Sequence, residues 1–201
     1  MKVFSSTIHP RRLFRGVFRF LSNLPFLLCC KLHRVDVVIG QNSFLKRCSV
    51  KTKDGYGKLI IGDNCSIKDT IFRYYDMGGL IVINDKVRIN ARPEAKTQLS
   101  VKGETKIEIG ERCLLSNTID IATTDWHCIL DEQGERTNLD KDVYIGRHVW
   151  IGRKAMIGKG VSIPENSVIG AGSVVTKSFD EGNVIIAGNP AKVRKDHVNW
   201  K

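Results

Sequence analysis

The feature that most constrains this chain is an aliphatic residue at every sixth position. From Ile145 to Val175 the sequence runs IGRHVW-IGRKAM-IGKGVS-IPENSV-IGAGSV-V, so Ile heads five successive hexads and Val heads the sixth. Gly usually follows the aliphatic residue, and the fifth position is small or β-branched. An α-helix repeats every 3.6 residues and cannot produce this period. A six-residue unit instead suits a short strand followed by a turn.

The same pattern recurs upstream, so hexads cover most of residues 37–176. Three strand-turn units close one triangular coil, and stacked coils place the aliphatic column inside while backbone amides pair between coils. Gly and Asn suit the turns, where a positive φ is common. We therefore predict an all-β fold, a parallel β-helix, rather than a β-sandwich, whose turns are irregularly spaced. Cys65 and Cys113 occupy the small corner position and are predicted to be packed thiols.

The positive charge of the chain is concentrated near its beginning. The net charge is +11, and residues 1–34 contribute seven Lys and Arg with no Asp or Glu, which leaves +4 for the other 167 residues. An excess of positive charge suits nucleic acid, an anionic membrane or a phosphorylated small molecule, and its location decides among them. Because the body of the chain is nearly balanced, we predict no nucleic-acid partner.

The cysteine pattern and the apolar stretches bear on the compartment. The six cysteines form no CxxC pair and no cleavable signal peptide is evident, which favours reduced thiols in a cytoplasmic protein. The apolar run LPFLLCC at 24–30 is far shorter than the roughly 20 residues that span a bilayer. We therefore expect no transmembrane helix.

Residues 1–36 are predicted to form a basic, amphipathic and helical N-terminal segment. Arginines alternate with Phe and Leu in this segment, and on a helix they would form a basic rim beside an apolar face. Such a face suits peripheral contact with the inner face of an anionic membrane, through residues 1–34. It equally suits a cap over the first coil, which a repeat protein needs. The sequence leaves both interpretations open.

The run IGAGSVVTKSFDEGNVIIAGNPAKVRK, together with VWIG at 149–152 and the hexads before it, resembles the hexapeptide-repeat acyltransferases. The resemblance is greatest to sugar and polysaccharide O-acetyltransferases of the maltose, galactoside and colanic acid acetyltransferase type. It implies a left-handed β-helix, an exception to the usual right-handed crossover, in a homotrimer that uses acetyl-CoA as donor. We assign the β-helix to residues 37–180 and a short C-terminal segment to 181–201.

The resemblance also implies the residues that bind the donor. Coenzyme A carries a pyrophosphate and a ribose phosphate, so its site needs cations and backbone donors. The implied donor residues follow the family motifs and are Gly152, Arg153, Ala171, Thr176, Lys177, Lys192 and Arg194. Within this set Gly152 and Ala171 leave room for the pantetheine arm, and the others contact the ligand. Trp150 either covers a packed corner or flanks the site on the acceptor side.

A second cluster, IDIATTDWHCIL at 119–130, contains the candidate base. Asp125 and His127 are two residues apart, so in an extended chain both side chains project to the same side. The carboxylate then orients the imidazole, or holds an acceptor hydroxyl, or only closes the turn. Trp126 is assigned to the substrate side. Residues 128–144 are too rich in charge for buried hexads and are predicted to form an outward loop at the acceptor site.

Together these features predict O-acetylation of a sugar hydroxyl in a surface polysaccharide, lipopolysaccharide or capsule pathway, with His127 as general base and no metal. The acceptor is a sugar or glycan, which a lipid link would bring to a membrane. The main alternative is N-acetylation of a nucleotide-linked amino sugar. A zinc hydratase needs three converging histidines, which the spacing around His127 does not offer. A scaffold with a degenerate site is the remaining alternative.

Overall fold

The structure is a computed structural model and describes residues 22–201. Within this range it contains one helix, α1 (residues 22–32), followed by strands that form six coils and a short seventh. The strands of coils one to three are β1 (Val35–Ile39), β2 (Phe44–Lys46), β3 (Ser49–Lys53), β4 (Gly57–Ile61), β5 (Ser66–Lys68), β6 (Thr70–Tyr75), β7 (Gly79–Ile83), β8 (Arg88–Asn90) and β9 (Thr97–Lys102). The remaining strands are β10 (Lys106–Ile109), β11 (Leu114–Leu115), β12 (Asp120–Ala122), β13 (Val143–Ile145), β14 (Trp150–Ile151), β15 (Met156–Ile157), β16 (Ser162–Ile163), β17 (Val168–Ile169), β18 (Val174–Val175), β19 (Ile185–Gly188) and β20 (Ala191–Lys195).

Equivalent strands of neighbouring coils pair in parallel, so the six coils build three flat sheets. Sheet A has the order β1-β4-β7-β10-β13-β16, sheet B begins β2-β5-β8-β11-β14-β17-β19, and sheet C contains β3-β6-β9-β12-β15-β18. The chain passes from A to B to C in every coil, which creates an A–B, a B–C and a C–A corner. This confirms the predicted all-β, parallel β-helix, and the architecture is that of a left-handed hexapeptide β-helix.

The core is the stack of aliphatic residues that the hexads predict. In sheet A the register places Ile61, Ile83, Ile109, Ile145 and Ile163 above one another, each at most 3% exposed. Successive hexads along the chain face different sheets, so the single sequence column becomes three columns in space. Their burial, at about 25 cal/mol per Å² of apolar surface, is the main force that stabilises the coils.

The glycines that follow the aliphatic residues are needed for a different reason from the one predicted. The Gly after each aliphatic residue was expected to relieve a positive φ, but Gly62 and Gly146 do not adopt one. A Cβ on Gly146 would lie 2.7 Å from the backbone nitrogen of Glu165 in the next coil, so Gly is needed for close stacking. Positive φ instead occurs at residues such as Asn64 and Asn166, each two positions after the Gly or its equivalent.

The cysteines at the corners are buried, as predicted. Cys65 is 2% and Cys113 1% exposed, and Cys113 Sγ donates to the carbonyl of Gly146 at 3.1 Å. Burial raises the pKa of Cys113 to about 12. A thiol with such a pKa stays protonated near neutrality, so Cys113 is a packing residue and not a nucleophile.

Helix α1 covers the open end of the first coil. The amide of Asn23 donates to Ser43 O and accepts from Leu45 N, both at 3.0 Å, and Phe26 packs edge-on against Phe72 at 5.8 Å. Residues 22–32 therefore act as a cap. The rest of the predicted basic segment, residues 1–21, lies outside the described residues. None of the helical structure that is described is long and apolar enough to cross a bilayer.

A long insertion interrupts the coils between the fourth and the fifth. Between β12 and β13, residues 123–142 leave the solenoid at the C–A corner, and most of them are exposed. The insertion was expected to extend to residue 144, but Val143 and Tyr144 already pair with β10 as part of β13. At the other end, β19 pairs in parallel with β17, so the solenoid continues into the predicted C-terminal segment.

Candidate active site

His127 lies on loop 123–142, where the chain bends sharply. Trp126 has a φ of 69°, and the backbone nitrogen of His127 donates to the carbonyl of Asp125 at 2.8 Å. The expectation of an extended chain at this point is therefore wrong. Side-chain alternation holds only in strands, so it does not place the carboxylate of Asp125 beside the imidazole of His127.

The carboxylate of Asp125 binds two other side chains. Its Oδ2 lies 2.5 Å from Nζ of Lys159 and accepts a hydrogen bond from Nδ2 of Asn138 at 3.0 Å. The hydrogen bond from Lys159 is the main reason that the pKa of Asp125 lies below its ordinary value. Lys159 lies at the C–A corner of the fifth coil, so this pair ties the loop to the solenoid.

Asn138 fixes the backbone around the histidine. Its Nδ2 donates to the carbonyl of His127 at 2.8 Å, and its Oδ1 accepts from the backbone nitrogen of Ile129 at 2.7 Å. Nζ of Lys159 donates to the Asn138 carbonyl at 2.7 Å, which holds Asn138 itself in place. Sequence reasoning missed both Asn138 and Lys159, because each lies far along the chain from His127 and neither belongs to a recognisable motif.

A second ion pair braces the same loop. The guanidinium of Arg136 donates to both carboxylate oxygens of Asp140, at 2.8 and 3.1 Å, and also to the Asn138 carbonyl at 3.1 Å. A bidentate arginine-carboxylate pair restricts orientation as well as distance. Several side-chain contacts thus hold the loop backbone, although most of its residues are exposed.

The imidazole of His127 is available to a substrate. The residue is exposed, and none of residues 22–201 forms a hydrogen bond or ion pair with its ring. Only its backbone is held, by Asn138 and by the turn. A neutral imidazole presents a nitrogen lone pair to which a substrate hydroxyl can donate.

An aromatic pair lies beside the histidine. The ring of Trp126 is 41% exposed and meets the ring of Tyr75 edge-on, with centroids 4.7 Å apart and an interplanar angle of 65°. Tyr75 is the last residue of β6, on the outward side of sheet C. We call these two residues the aromatic shelf. Sequence reasoning singled out Trp126 but not Tyr75, because an outward tyrosine in a strand carries no signal of its own.

A separate groove lies at the B–C corner of coils four to six, with a cavity volume of about 360 Å³. We call it the corner groove. Its lining consists of Ser116, Asn117, Trp150, Gly152, Arg153, Val168, Ile169, Gly170 and Ala171. Four predicted residues, Trp150, Gly152, Arg153 and Ala171, therefore come together. A Cβ on Gly152 would lie 2.7 Å from the backbone nitrogen of Ala171, so coil stacking requires this Gly whether or not a ligand lies there.

The predicted phosphate-binding residues are divided between two corners. Arg194 Nε donates to the carbonyl of Ala187 at 2.9 Å, and Lys192 pairs with the same residue across β19 and β20. Since β19 is the neighbour of β17, these two cations lie next to the end of the corner groove that the sixth coil forms. Thr176 and Lys177 are exposed and follow β18, at the C–A corner. Within a single chain, Thr176 and Lys177 therefore lie at the same corner as His127.

The sequence has recognisable relatives. The model of the family described as bacterial transferase hexapeptide (six repeats) matches residues 142–177. A galactoside O-acetyltransferase of Lactococcus lactis subsp. lactis is 35% identical over 67% of this chain, and a polysialic acid O-acetyltransferase of Neisseria meningitidis is 39% identical over 44% of it. The chain spans 61% and 49% of the lengths of these two relatives.

A solved structure covers more of the chain. The crystal structure of the polysialic acid O-acetyltransferase OatWY is 34% identical, covers 84% of this chain and 92% of its own, and superposes with a TM-score of 0.60. The shared architecture therefore extends well beyond the six repeats that the family model describes.

Proposed function

Because the chain belongs to the hexapeptide-repeat acyltransferase family, we propose that it transfers an acetyl group from acetyl-CoA to a sugar hydroxyl. The observation that carries this proposal is the exposed His127 imidazole on a loop whose backbone is pinned by Asn138 and Lys159. The names of the relatives, which act on galactosides and polysialic acid, support a sugar acceptor. Surface polysaccharide, lipopolysaccharide and capsule synthesis are the pathways that such an acceptor suits.

The chemistry requires a base at this point. A sugar hydroxyl is a poor nucleophile until its proton is removed as it attacks the thioester carbonyl. His127 accepts that proton while the new ester bond to carbon forms and a tetrahedral oxyanion develops. The oxyanion then collapses, the carbon-sulfur bond breaks, and the leaving thiolate of coenzyme A receives the proton from the imidazolium. Backbone amides of the coil edge supply hydrogen bonds to the oxyanion.

This direct route needs neither a metal ion nor a covalent acyl-enzyme. The thioester already supplies an activated acyl group, and the imidazole supplies the base. Cys128 is exposed and adjacent to the histidine, which makes it the candidate nucleophile to test against this route. In a direct transfer its thiol has no role.

The aromatic shelf suits the acceptor. The apolar face of a sugar ring packs against exposed aromatic side chains, and Trp126 offers such a face next to His127. The edge of Tyr75 holds the indole in one orientation. A sugar on this shelf presents its hydroxyls towards the base.

The corner groove suits the donor. It has the length of two to three coils, which is appropriate for the extended pantetheine arm, and the cations of Arg194 and Lys192 lie at its end. Phosphate groups bind such cations through charge-assisted hydrogen bonds. Arg153 and Trp150 line the middle of the groove, where the thioester would lie.

The site is complete only between subunits. The corner groove and His127 occupy different corners of one triangular coil, with the full width of sheet C between them. If sheet C faces a threefold axis, the B–C corner of one subunit meets the C–A corner of the next. That packing brings His127, Thr176 and Lys177 to the groove of a neighbour, so we propose a homotrimer with shared sites.

The outward surface of sheet C supports this choice of face. Asp120 Oδ1 is buried but has no hydrogen-bond partner within residues 22–201. In the next coil Met156 pairs with Asp120 across the sheet and is 50% exposed. A buried acceptor that lacks a partner beside an exposed apolar side chain is typical of a surface that another subunit covers.

The proposed function is tested with purified protein, acetyl-CoA and a panel of acceptors that contains galactosides, oligosialic acid and amino sugars. Release of free thiol and the mass of the product report the transfer. We expect an ester on a sugar oxygen. An amide product would establish the N-acetyl alternative, and a protein that fails to bind acetyl-CoA would be a scaffold.

A further inference from the structure

Almost all of the net charge of the protein lies in the first quarter of its sequence. Residues 1–53 contain eleven of the 32 Lys and Arg residues and only one of the 21 Asp and Glu residues, Asp36. This part of the chain therefore carries +10 of the total +11. Six of the cations lie on or next to α1 and in the first coil, within the described structure: Lys31, Arg34, Lys46, Arg47, Lys51 and Lys53.

Most of these six cations have no counter-ion among the described residues. Arg47 forms a bidentate pair with Asp69, at 2.6 and 2.7 Å. The other five form no ion pair with any residue of the range 22–201, and all five are exposed. Their charge is therefore directed to solvent, or to an anionic partner.

The same end of the molecule exposes a line of leucines. Leu24, Leu28 and Leu32 are 41%, 56% and 83% exposed, and their spacing of four residues places them along one side of α1. The opposite side of the helix buries Phe26 and Cys30 against the first coil. We call the three exposed residues the leucine ridge. The cap function of α1 uses its buried side and leaves the ridge without a role.

We propose that the leucine ridge and the cations around it dock the protein on an anionic membrane surface. A bilayer interface offers both parts of the match, because leucines enter the boundary of the acyl chains while Lys and Arg meet anionic headgroups. A nucleic acid would satisfy the cations but leave the leucines in water. A second copy of the chain would bury the leucines but would bring two strongly basic ends together.

Docking at this end has a consequence for the acceptor, which rests on the proposed function. Loop 123–142 follows the fourth coil, and adjacent strands of a sheet are about 4.8 Å apart, so His127 lies about three coil spacings, or roughly 15 Å, beyond the first coil. A glycan linked to a membrane lipid reaches that height with its first few sugars. A docked enzyme therefore acts on lipid-linked glycans without extracting them.

The test is flotation of the full-length protein with phosphatidylcholine vesicles, with and without phosphatidylglycerol, at low and at high salt. We expect binding only to the anionic vesicles, weakened by salt because screening shortens the range of the attraction. Lys31→Gln and Lys46→Gln, both away from sheet C, should each weaken binding about fivefold. The triple change Leu24→Ser, Leu28→Ser and Leu32→Ser should weaken it on the order of 100-fold.

The matched control is the pair Leu130→Ser and Leu139→Ser, which removes two leucines, each 58% exposed, from loop 123–142 at the C–A corner. Flotation of this control should equal that of the wild type. Equal flotation of the ridge variant would overturn the proposal. A changed mass of the ridge variant in light scattering without vesicles would also overturn it, because the ridge would then be an interface between copies. A lowered melting temperature with unchanged flotation would overturn it too, because other parts of the chain would then cover the ridge. These measurements do not involve acetyl transfer, so failure of the membrane proposal and failure of the proposed function can be told apart.

Discussion

The carboxylate of Asp125 lies 2.5 Å from Nζ of Lys159, and this contact joins the loop that carries His127 to the fifth coil of the solenoid. The two residues are 34 positions apart, yet the C–A corner places them side by side. Because the carboxylate is 45% exposed, the pair contributes modestly to global stability. Its effect is local: it holds a short segment in the geometry from which the imidazole acts.

Removal of the base should separate chemistry from binding. We expect His127→Ala to lower turnover by about two to four powers of ten, the range for loss of a general base, while the fold and the affinity for acetyl-CoA stay unchanged. Steady-state kinetics and calorimetry measure the two effects. Cys128→Ala is the control and should remain active. Turnover of His127→Ala near that of the wild type would show that the mechanism is wrong.

Substitution of the residues that hold the loop around His127 should lower turnover. We expect Lys159→Met, Asp125→Asn and Asn138→Ala each to lower kcat by about 3- to 30-fold, with little change in the apparent constant for acetyl-CoA, because the loop loses its fixed geometry. Since Lys159 and Asp125 form one contact, the double variant should be little worse than either single variant. Lys86→Gln, at a different corner, is the control. Strictly additive effects of Lys159 and Asp125 would contradict their joint role.

Substitution of the cations proposed to bind the donor should lower the affinity for acetyl-CoA. Each of Arg194→Ala and Lys177→Ala should weaken binding of acetyl-CoA by about 1.5 to 3 kcal/mol, the range for a hydrogen bond to a charged group. Calorimetry with coenzyme A measures this without turnover. Lys195→Ala, on the same strand as Arg194, is the matched control. Unchanged affinity in the Arg194 and Lys177 double variant would remove both residues from the donor site.

Shared sites make a prediction about mixed assemblies. We expect the mass of a trimer in light scattering, and Met156→Glu should dissociate it by placing charge on sheet C. His127→Ala and Ala171→Trp, which fills the corner groove, should each be inactive alone. Refolding the two together should restore part of the activity, since some interfaces then combine an intact groove with an intact histidine. A monomeric wild type, or no recovery on mixing, would exclude shared sites.

Asp120 predicts a dependence of stability on pH. Burial raises its pKa above the ordinary value, although Arg73 acts in the opposite direction. The folded chain therefore holds this proton to a higher pH than the unfolded chain, so stability falls as the pH rises from the ordinary pKa of Asp to the raised one. Asp120→Asn should abolish this part of the slope in urea unfolding at several pH values. The same slope in both proteins would show that Asp120 does not cause it.

Two predictions that failed in detail show where local reasoning stops. Asp125 and His127 were assigned to one side of an extended chain, but the positive φ of Trp126 bends the segment and Lys159 attracts the carboxylate. The glycines were assigned to a dihedral requirement, but Gly146 is needed because the next coil passes 2.7 Å from where its Cβ would be. In both cases the deciding neighbour lies in another coil.

The sequence by itself determined the solenoid, because a hexad repeats its own requirement: every sixth residue must be apolar and each turn must let the next coil approach. It also indicated the candidate base and four of the nine residues that line the corner groove, which lie in contiguous motifs. Only the tertiary structure decided that Asn138 and Lys159 hold His127, that Tyr75 supports Trp126, and that the groove and the base occupy different corners. These relationships join residues that are one or more coils apart, and coil-to-coil register depends on the lengths of the intervening turns and of the loop, which no local pattern records.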